Sequence, residues 1–371
     1  MVLYLSKPGT TLYRILDQGR WAPSGDNVQP WRFHIIDSKT VEVSYSTSDL
    51  NVYEYRNGEP IHISVGALCE TLRIAASKEK WGCTWRYIGQ KNGLQHVRVY
   101  FFEDNKMTEN PLSAFIQTRS VNRHAYQKSQ LSPLHKEALQ ASLGEKLSLE
   151  WKESKKDKHT ISRLNAMATD IRLRIQEAYK VHQEIIEWDN PFSTDKIPIH
   201  TLPVSKPSQQ VMRWSLKKWS RANFLNRYLK GTLLPQLEMD LVPGTHCAAH
   251  YFISSAYPIE GNPAALLEIG ASVQRFWLTA TSLGMAMQPS LATLIFADYG
   301  HKDKYFTYDM EIFNKAKRLA NRLAELRARF NKPDNTLVFS GRVGYPLALK
   351  SPSRSLRLPL EKLILPQEDQ P

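Results

Sequence analysis

The stretch "WAPSGDNVQPWRF" at residues 21–33 sets Pro23, Ser24, Gly25, Asp26 and Asn27 in adjacent places and closes on Gln29, Pro30 and Trp31. Each of the first five is a turn or cap former for its own backbone reason. Read functionally, the loop's free backbone N–H groups and small hydroxyls would face a ligand. The same residues fit a plain helix end, loop and strand start, because "WRFHIID" then alternates apolar and polar. A second candidate, "HCAAH" at 246–250, has two histidines at metal-ligand spacing. Its neighbour "YFISSAY" reads as a strand and no carboxylate stands beside it, so the pair is read as packed or exposed and no metal site is assigned.

The elements that must position the loop can be read from periodicity. A helix over about residues 9–20 leads into it, with Gly19 placed to end that helix. The strands "RFHIID" and "TVEVSYS" follow, then a helix over about 63–79 and the strand "HVRVYFFE". Gly66, Ala67, Ala75 and Ala76 on that helix imply close packing against another helix or a flat ligand. Residues 130–240 read as mostly helical: a charged helix "ISRLNAMATDIRLRIQEAYKVHQEIIEW", a Pro-rich connector "IPIHTLPVSKPSQQ" and an aromatic basic helix "VMRWSLKKWSRANFLNRYL". Beyond them "IGASVQRFWLTA" repeats the pattern of "VGALCETLRIAA", with Gly270 over Gly66 and Ala271 over Ala67, a weak internal repeat. A helix "DMEIFNKAKRLANRLAELRARF", a strand "NTLVFSGRVGYP" and the basic "SPSRSLRLPLEKLI" complete the chain.

At 371 residues there is room for two ordinary domains or one large one, and 42% hydrophobic with 23% charged residues is normal for a globular protein. No apolar run approaches the roughly 20 residues that span a bilayer, and "MVLYLSKPGTTLYRILDQ" reads as no signal peptide. Cys69, Cys83 and Cys247 are odd in number and not in metal-ligand spacing, which points to a reducing, cytoplasmic setting. The net charge of +13 is spread along the chain and enriched on two helix-like stretches, where a solvated face accounts for it. No zinc-finger spacing or RNA-recognition signature accompanies it, so no nucleic-acid partner is expected. Trp214, Leu216 and Trp219 alone do not define a membrane-active face; they are expected to pack onto the body, and no membrane partner is assigned.

"WAPSGDNVQPWRF", the Gly-Ala helix, "LGMAMQP" and the closing "GRVGYP…SRSLRLPLEKLI" together resemble the nitroreductase family of flavoproteins. Pro23, Ser24, Asn27, Gln29, Pro30 and Trp31 match that family's Pro-Ser-x-x-Asn-x-Gln-Pro-Trp loop position by position. The resemblance implies an α+β fold of antiparallel-dominated mixed sheets flanked by helices, binding FMN between two such units, usually two subunits. One unit supplies the Pro-Ser loop and the other an Arg-Ser-x-Arg segment with a C-terminal basic pair. That arginine segment, normally before the loop, has its counterpart here in "TRSVNRHAY" at 118–126, with Arg119 and Arg123 one residue further apart than usual. This implies two nitroreductase-like halves in one chain, 1–118 and 119–371, the second carrying a helical insertion at about 150–235. Such a pseudo-dimer is similar to the Acg-like branch and to the nitroreductase domains fused to ubiquitin-activating-like domains.

The resemblance implies one complete flavin site, since only the first half has the loop and only the second the arginine segment. Its cofactor-binding candidates are Pro23, Ser24, Asn27, Gln29 and Gln288, with Arg119, Arg123, Arg354 and Arg357 on the phosphate side. Arginine forks suit a phosphate dianion better than lysine does. Gln29 and Trp31 have a strong alternative role as buttresses of the loop. No catalytic acid or base is required. The implied activity is transfer of reducing equivalents from NAD(P)H through FMN to a nitro, quinone or other conjugated acceptor, by a monomeric pseudo-dimer or a homodimer. Two alternatives stand beside it: a protein that binds or sequesters flavin with little reductase activity, and a basic nucleic-acid binder without flavin. The insertion is expected to form part of the acceptor-site wall or a lid.

Overall fold

A computed structural model describes residues 9–47, 51–347 and 353–366; Ser351 and Pro352 of the closing basic stretch, and the first eight residues, lie outside the described residues. Helix α1 (Thr11–Gly19) starts where the Thr10 hydroxyl accepts the Tyr13 N–H at 3.2 Å. It buries Leu12, Ile15, Leu16 and Gly19 along one face. Gly19 is the last helical residue, but its role is close packing: a Cβ there would stand 2.3 Å from Leu72 Cδ2. Strands β1 (Trp31–Ile35) and β2 (Thr40–Ser46) form a hairpin whose inward residues face each other in register, Trp31 opposite Tyr45 and Phe33 opposite Val43. Helix α2 (Tyr55–Lys78) then precedes β3 (Trp81–Lys91) and β4 (Leu94–Glu103). It begins a turn or two earlier than its periodicity predicts, through left-handed Arg56, Asn57 and Gly58 and then Pro60.

The rest of the chain builds a second sheet. Helix α3 (Pro133–Leu143) leads to β5 (Leu147–Lys152). Helices α4 (Lys155–Leu173), α5 (Gln176–Ile185), α6 (Lys206–Ser215) and α7 (Trp219–Tyr228) lie between β5 and β6 (Ala249–Ser255). Helix α8 (Pro263–Ser282), capped by the Asn262 side chain, precedes β7 (Ala286–Pro289). Helices α9 (Leu291–His301) and α10 (Met310–Arg327) separate β7 from β8 (Thr336–Gly344). The fold is α+β with antiparallel-dominated sheets, as expected; two short two-stranded pairs, Ile186–Glu187 with Ile197–Pro198 and Phe192–Ser193 with Arg354–Ser355, are parallel. The two long helices expected within 150–235 are each broken in two, at Arg174–Ile175 and at Leu216–Lys218.

Both sheets have the same strand order. The first runs β1-β2-β4-β3 and the second β5-β6-β8-β7, all pairs antiparallel. In each, a long helix follows the second strand, and those two helices, α2 and α8, pack on one another. They meet at the glycines that the internal repeat aligns: a Cβ on Gly66 would lie 2.1 Å from Leu267 O, and one on Gly270 2.1 Å from Ile63 O and 2.9 Å from Gly66 Cα. Above the crossing the pairing is reciprocal. The amide of Gln274 donates to Thr71 Oγ1 at 3.0 Å, while Arg275 pairs with buried Glu70 at 3.0 Å. The repeat sets Glu70 opposite Gln274 and Thr71 opposite Arg275, so each position of one helix touches the neighbouring position of the other, as in a two-fold contact.

The chain end returns to the first sheet. Leu363 O accepts the Phe33 N–H at 2.7 Å and Phe33 O accepts the Leu365 N–H at 2.9 Å, which covers the free edge of β1. Leu360 and Leu363 are buried in the first core. This return carries Arg354 and Arg357 alongside the 23–30 loop.

Replacing Gly66 by Ala forces a backbone-against-side-chain clash that no rotamer relieves. Overpacking should cost about 1–3 kcal/mol, outweighing the ~1 kcal/mol that alanine gains in helix propensity. Thermal unfolding should show a midpoint lowered by several degrees; an unchanged or higher midpoint would contradict the crossing.

Candidate functional site

The 23–30 loop is held from behind. Ser24 Oγ accepts the Gln29 N–H at 3.0 Å across a tight turn in which Asp26, Asn27 and Gln29 all have positive φ (48°, 65° and 48°). Three non-glycine residues in the left-handed region are costly and persist only where surroundings over-determine them. Gln29 supplies much of that determination. Its amide donates to Asn27 O and Thr194 O at 2.9 Å each, and its Oε1 accepts the Leu358 N–H at 2.8 Å. Gln29 is wholly buried and does not reach the cavity that the loop borders, so of its two expected roles it takes the buttress. Trp31, also fully buried, does the same.

That cavity has a volume of about 920 Å³, near the upper end of the small-molecule range. Pro23, Ser24, Asn27, Arg119, Arg123, Gln288, Arg354 and Arg357 all line it. The sequence separates these residues by up to 334 positions; the tail on β1 and the α2–α8 crossing bring them together. Its opposite wall comes from the helical segment between β5 and β6, through residues such as Thr169, Arg172, Leu225 and Leu229.

The four expected arginines fall into two groups. Arg119, 3% exposed, donates to Trp21 O at 3.2 Å and stacks its guanidinium 4.6 Å from the Trp277 ring centre. Arg357, 8% exposed, donates to Ala22 O at 3.0 Å and Asn27 Oδ1 at 2.9 Å. Arg354 donates to Gln117 O at 2.6 Å and lies over Trp21. Burial, then the charges of Arg357 and Arg354, hold the Arg119 guanidinium well below its usual range. Burial, then Arg354 and Arg20, push Arg357 down to about 9. No carboxylate enters either balance. The Nε–H groups of Arg119 and Arg354 are buried with no partner among the described residues.

Arg123 stands apart from these three. Burial lowers it to about 10 against the attraction of Asp26, and its charged neighbours are Arg172 and Arg342. Arg342 donates to Met239 O at 3.1 Å and to Arg123 O at 3.0 Å. Asp26 and Asp240 both line the cavity here, each carboxyl pushed up by burial and pulled back by these arginines. The sequence reading missed Arg172, Arg342, Tyr53, Glu54 and His182. Tyr53 Oη and His182 Nε2 share a hydrogen bond of 2.8 Å in the wall, and burial lowers His182 to about 3. Gln288, on β7, donates to Pro289 O at 3.1 Å while its buried Oε1 has no partner among the described residues. His250 is buried in β6 against Gly244 O, His246 bonds Val242 O, and no metal-ligating cluster exists among the described residues.

Residues 8–59, which hold α1, the loop, β1 and β2, match the Nitroreductase family model. No curated protein matches the chain. Among solved structures, a nitroreductase with bound FMN from Bacteroides fragilis is 13% identical, with 65% of this chain and 92% of that one covered at a TM-score of 0.30. The FMN-dependent nitroreductase NfnB from Mycobacterium smegmatis, in complex with NADPH, is 13% identical over 63% and 87% at 0.31. A BluB-like flavoprotein from Clostridium difficile is 13% identical over 68% and 97% at 0.33.

Glu54 offers a test of the wall's electrostatics. Burial, reinforced by Asp26, pushes its carboxyl up to about 7 although its Oε2 accepts the Ile61 N–H at 3.2 Å. A folded pKa above the unfolded one means the folded state binds more protons across that window, so stability falls as pH rises from about 4.5 to about 7. Glu54→Gln removes that dependence. Denaturant unfolding should show the variant gaining on the wild type between pH 5 and pH 8; an equal difference at both would contradict the assignment.

Proposed function

We propose that the chain binds one FMN in this cavity and is a flavin-dependent oxidoreductase that passes reducing equivalents from NAD(P)H to a nitro, quinone or other conjugated acceptor. The observation that carries the reading is the Arg119–Arg354–Arg357 group. The buried guanidinium groups of Arg119 and Arg357 share one corner with half-buried Arg354 and no carboxylate among them, and two Nε–H donors there are buried and unpartnered among the described residues. Uncompensated buried charge is strongly unfavourable, and a phosphate dianion with several acceptor oxygens is the group that relieves it. The residues therefore fit FMN, with the three arginines on its phosphate and Pro23, Ser24, Asn27 and Gln288 toward its ring. Bound FMN supplies two-electron redox chemistry between a nicotinamide and an acceptor. The chain's own residues bind and orient, and the β5–β6 segment restricts water and bulky molecules.

We further infer two related units, 1–118 and 119–371, with the helical insertion in the second forming the acceptor-side wall. The shared strand order, the Gly66–Gly270 crossing and the reciprocal pairs above it support this. A single chain then supplies what two subunits would, and a monomer suffices. We propose a cytoplasmic setting, supported by three buried, free cysteines. Sequestration of flavin is the second reading, favoured by the extent of the insertion wall, and NAD(P)H oxidation with a soluble quinone separates the two.

Released flavin measured against peptide absorbance should approach one per chain; none, or two, contradicts the reading. Arg119→Ala should weaken FMN binding by about 1–3 kcal/mol with the circular dichroism spectrum retained, and unchanged affinity would overturn its phosphate-side role.

A further inference from the structure

The outer face of the insertion has an unusual composition. Residues 206–230, "KPSQQVMRWSLKKWSRANFLNRYLK", contain seven Lys or Arg and no Asp or Glu. Helix α7 is apolar on two sides. Ala222, Leu225, Asn226 and Leu229 face the cavity at three- and four-residue spacing, while Arg221, Phe224 and Tyr228 point the other way. Phe224 is 53% exposed, Tyr228 68% and Trp214, on α6, 46%; Leu233, just beyond α7, is 57% exposed. Phe224 and Tyr228 touch ring to ring at 5.6 Å, and the Arg221 guanidinium sits 5.1 Å from the Trp214 ring centre. Trp214, Leu216 and Trp219 were expected to pack onto the body; Leu216 and Trp219 pack instead within the insertion itself, and Trp214 faces outward. Arg213 and Arg227 have acidic partners, whereas Lys217, Lys218 and Lys230 are exposed and make no ion pair among the described residues.

We propose that this face docks on an anionic membrane surface. Aromatic and aliphatic side chains flanked by unpaired cations suit the headgroup region, where apolar groups enter and Lys and Arg meet lipid phosphates. A second copy of the chain would bring the same cations against themselves. A nucleic-acid duplex, which presents phosphates and stacked, covered base faces, would leave the exposed rings unburied. Val211, Leu229, Lys230 and Leu234 belong both to this exposed stretch and to the cavity wall, so docking turns the cavity toward the lipid. Resting on the flavin reading, this fits an apolar quinone dissolved in the bilayer as acceptor; the docking itself does not depend on that reading.

Sedimentation of the full chain with vesicles tests it. The chain should spin down with mixed phosphatidylglycerol and phosphatidylcholine and not with phosphatidylcholine alone. Phe224→Ser with Tyr228→Ser, and separately Lys217→Glu with Lys218→Glu, should each weaken binding at least roughly tenfold without lowering the unfolding midpoint. No sedimentation, equal binding to both lipids, or binding indifferent to the aromatic pair overturns the proposal. So does a solution dimer abolished by Phe224→Ser, or DNA retention that the lysine pair removes and the aromatic pair does not. In a second arm, the aromatic variant should slow NAD(P)H oxidation with a long-chain quinone in vesicles but not with a water-soluble one. If neither quinone is reduced by the wild type, the quinone-reductase reading fails while the vesicle result still decides docking.

Discussion

Two helices cross at Gly66 and Gly270 with no side chain between their backbones, and the rest of the architecture is arranged around that contact. Any Cβ there would meet a carbonyl, so the crossing fixes the distance between the two sheets as firmly as a covalent spacer would. Glu70, fully buried, is tolerated beside it because Arg275 crosses from the other helix to pair with it at 3.0 Å and Arg73 of its own helix pairs with it at 2.7 Å. With the sheets so fixed, the Pro-Ser loop at the start of β1 and the arginine segment preceding α3 border one cavity. The C-terminal return along β1 brings the last arginines to the same corner.

That corner stores unfavourable energy. Arg119 and Arg357 are buried beside each other and both have depressed pKa values, the signature of guanidinium groups short of counter-charge. The loop facing them adds three left-handed non-glycine residues. Both are costs that the proposed FMN site accounts for: a phosphate would offset the first, and a backbone set against the flavin ring would require the second. The second arginine group differs, because Asp26 and Asp240 offset its charge within the wall.

The loop and the Gly-Ala helices were legible in the sequence because each is set by local chemistry, turn formers in the one and small residues at close contacts in the other; the arginine segments were reached only through the family resemblance. The repeat of "VGALCETLRIAA" in "IGASVQRFWLTA" even marked the two glycines that meet. What was not legible depends on long-range folding. Arg172 sits in a charged helix with no motif to single it out, and only the cavity reveals its setting. The helix breaks at Arg174–Ile175 and after Ser215 carry neither Pro nor Gly, so periodicity runs through them. Gln29 belongs to a loop motif yet spends its amide on Thr194 and Leu358, partners no local rule could name. Trp214 faces outward although its neighbour Trp219 turns inward against Tyr179.

The central claim is that the Arg119–Arg354–Arg357 corner is a phosphate subsite. Titrating the flavin-free chain with FMN and with riboflavin, which lacks the phosphate, and following flavin fluorescence tests it most directly. Loss of two charge-assisted hydrogen bonds predicts riboflavin binding weaker by roughly two to four orders of magnitude. Equal affinities for the two flavins would contradict the account.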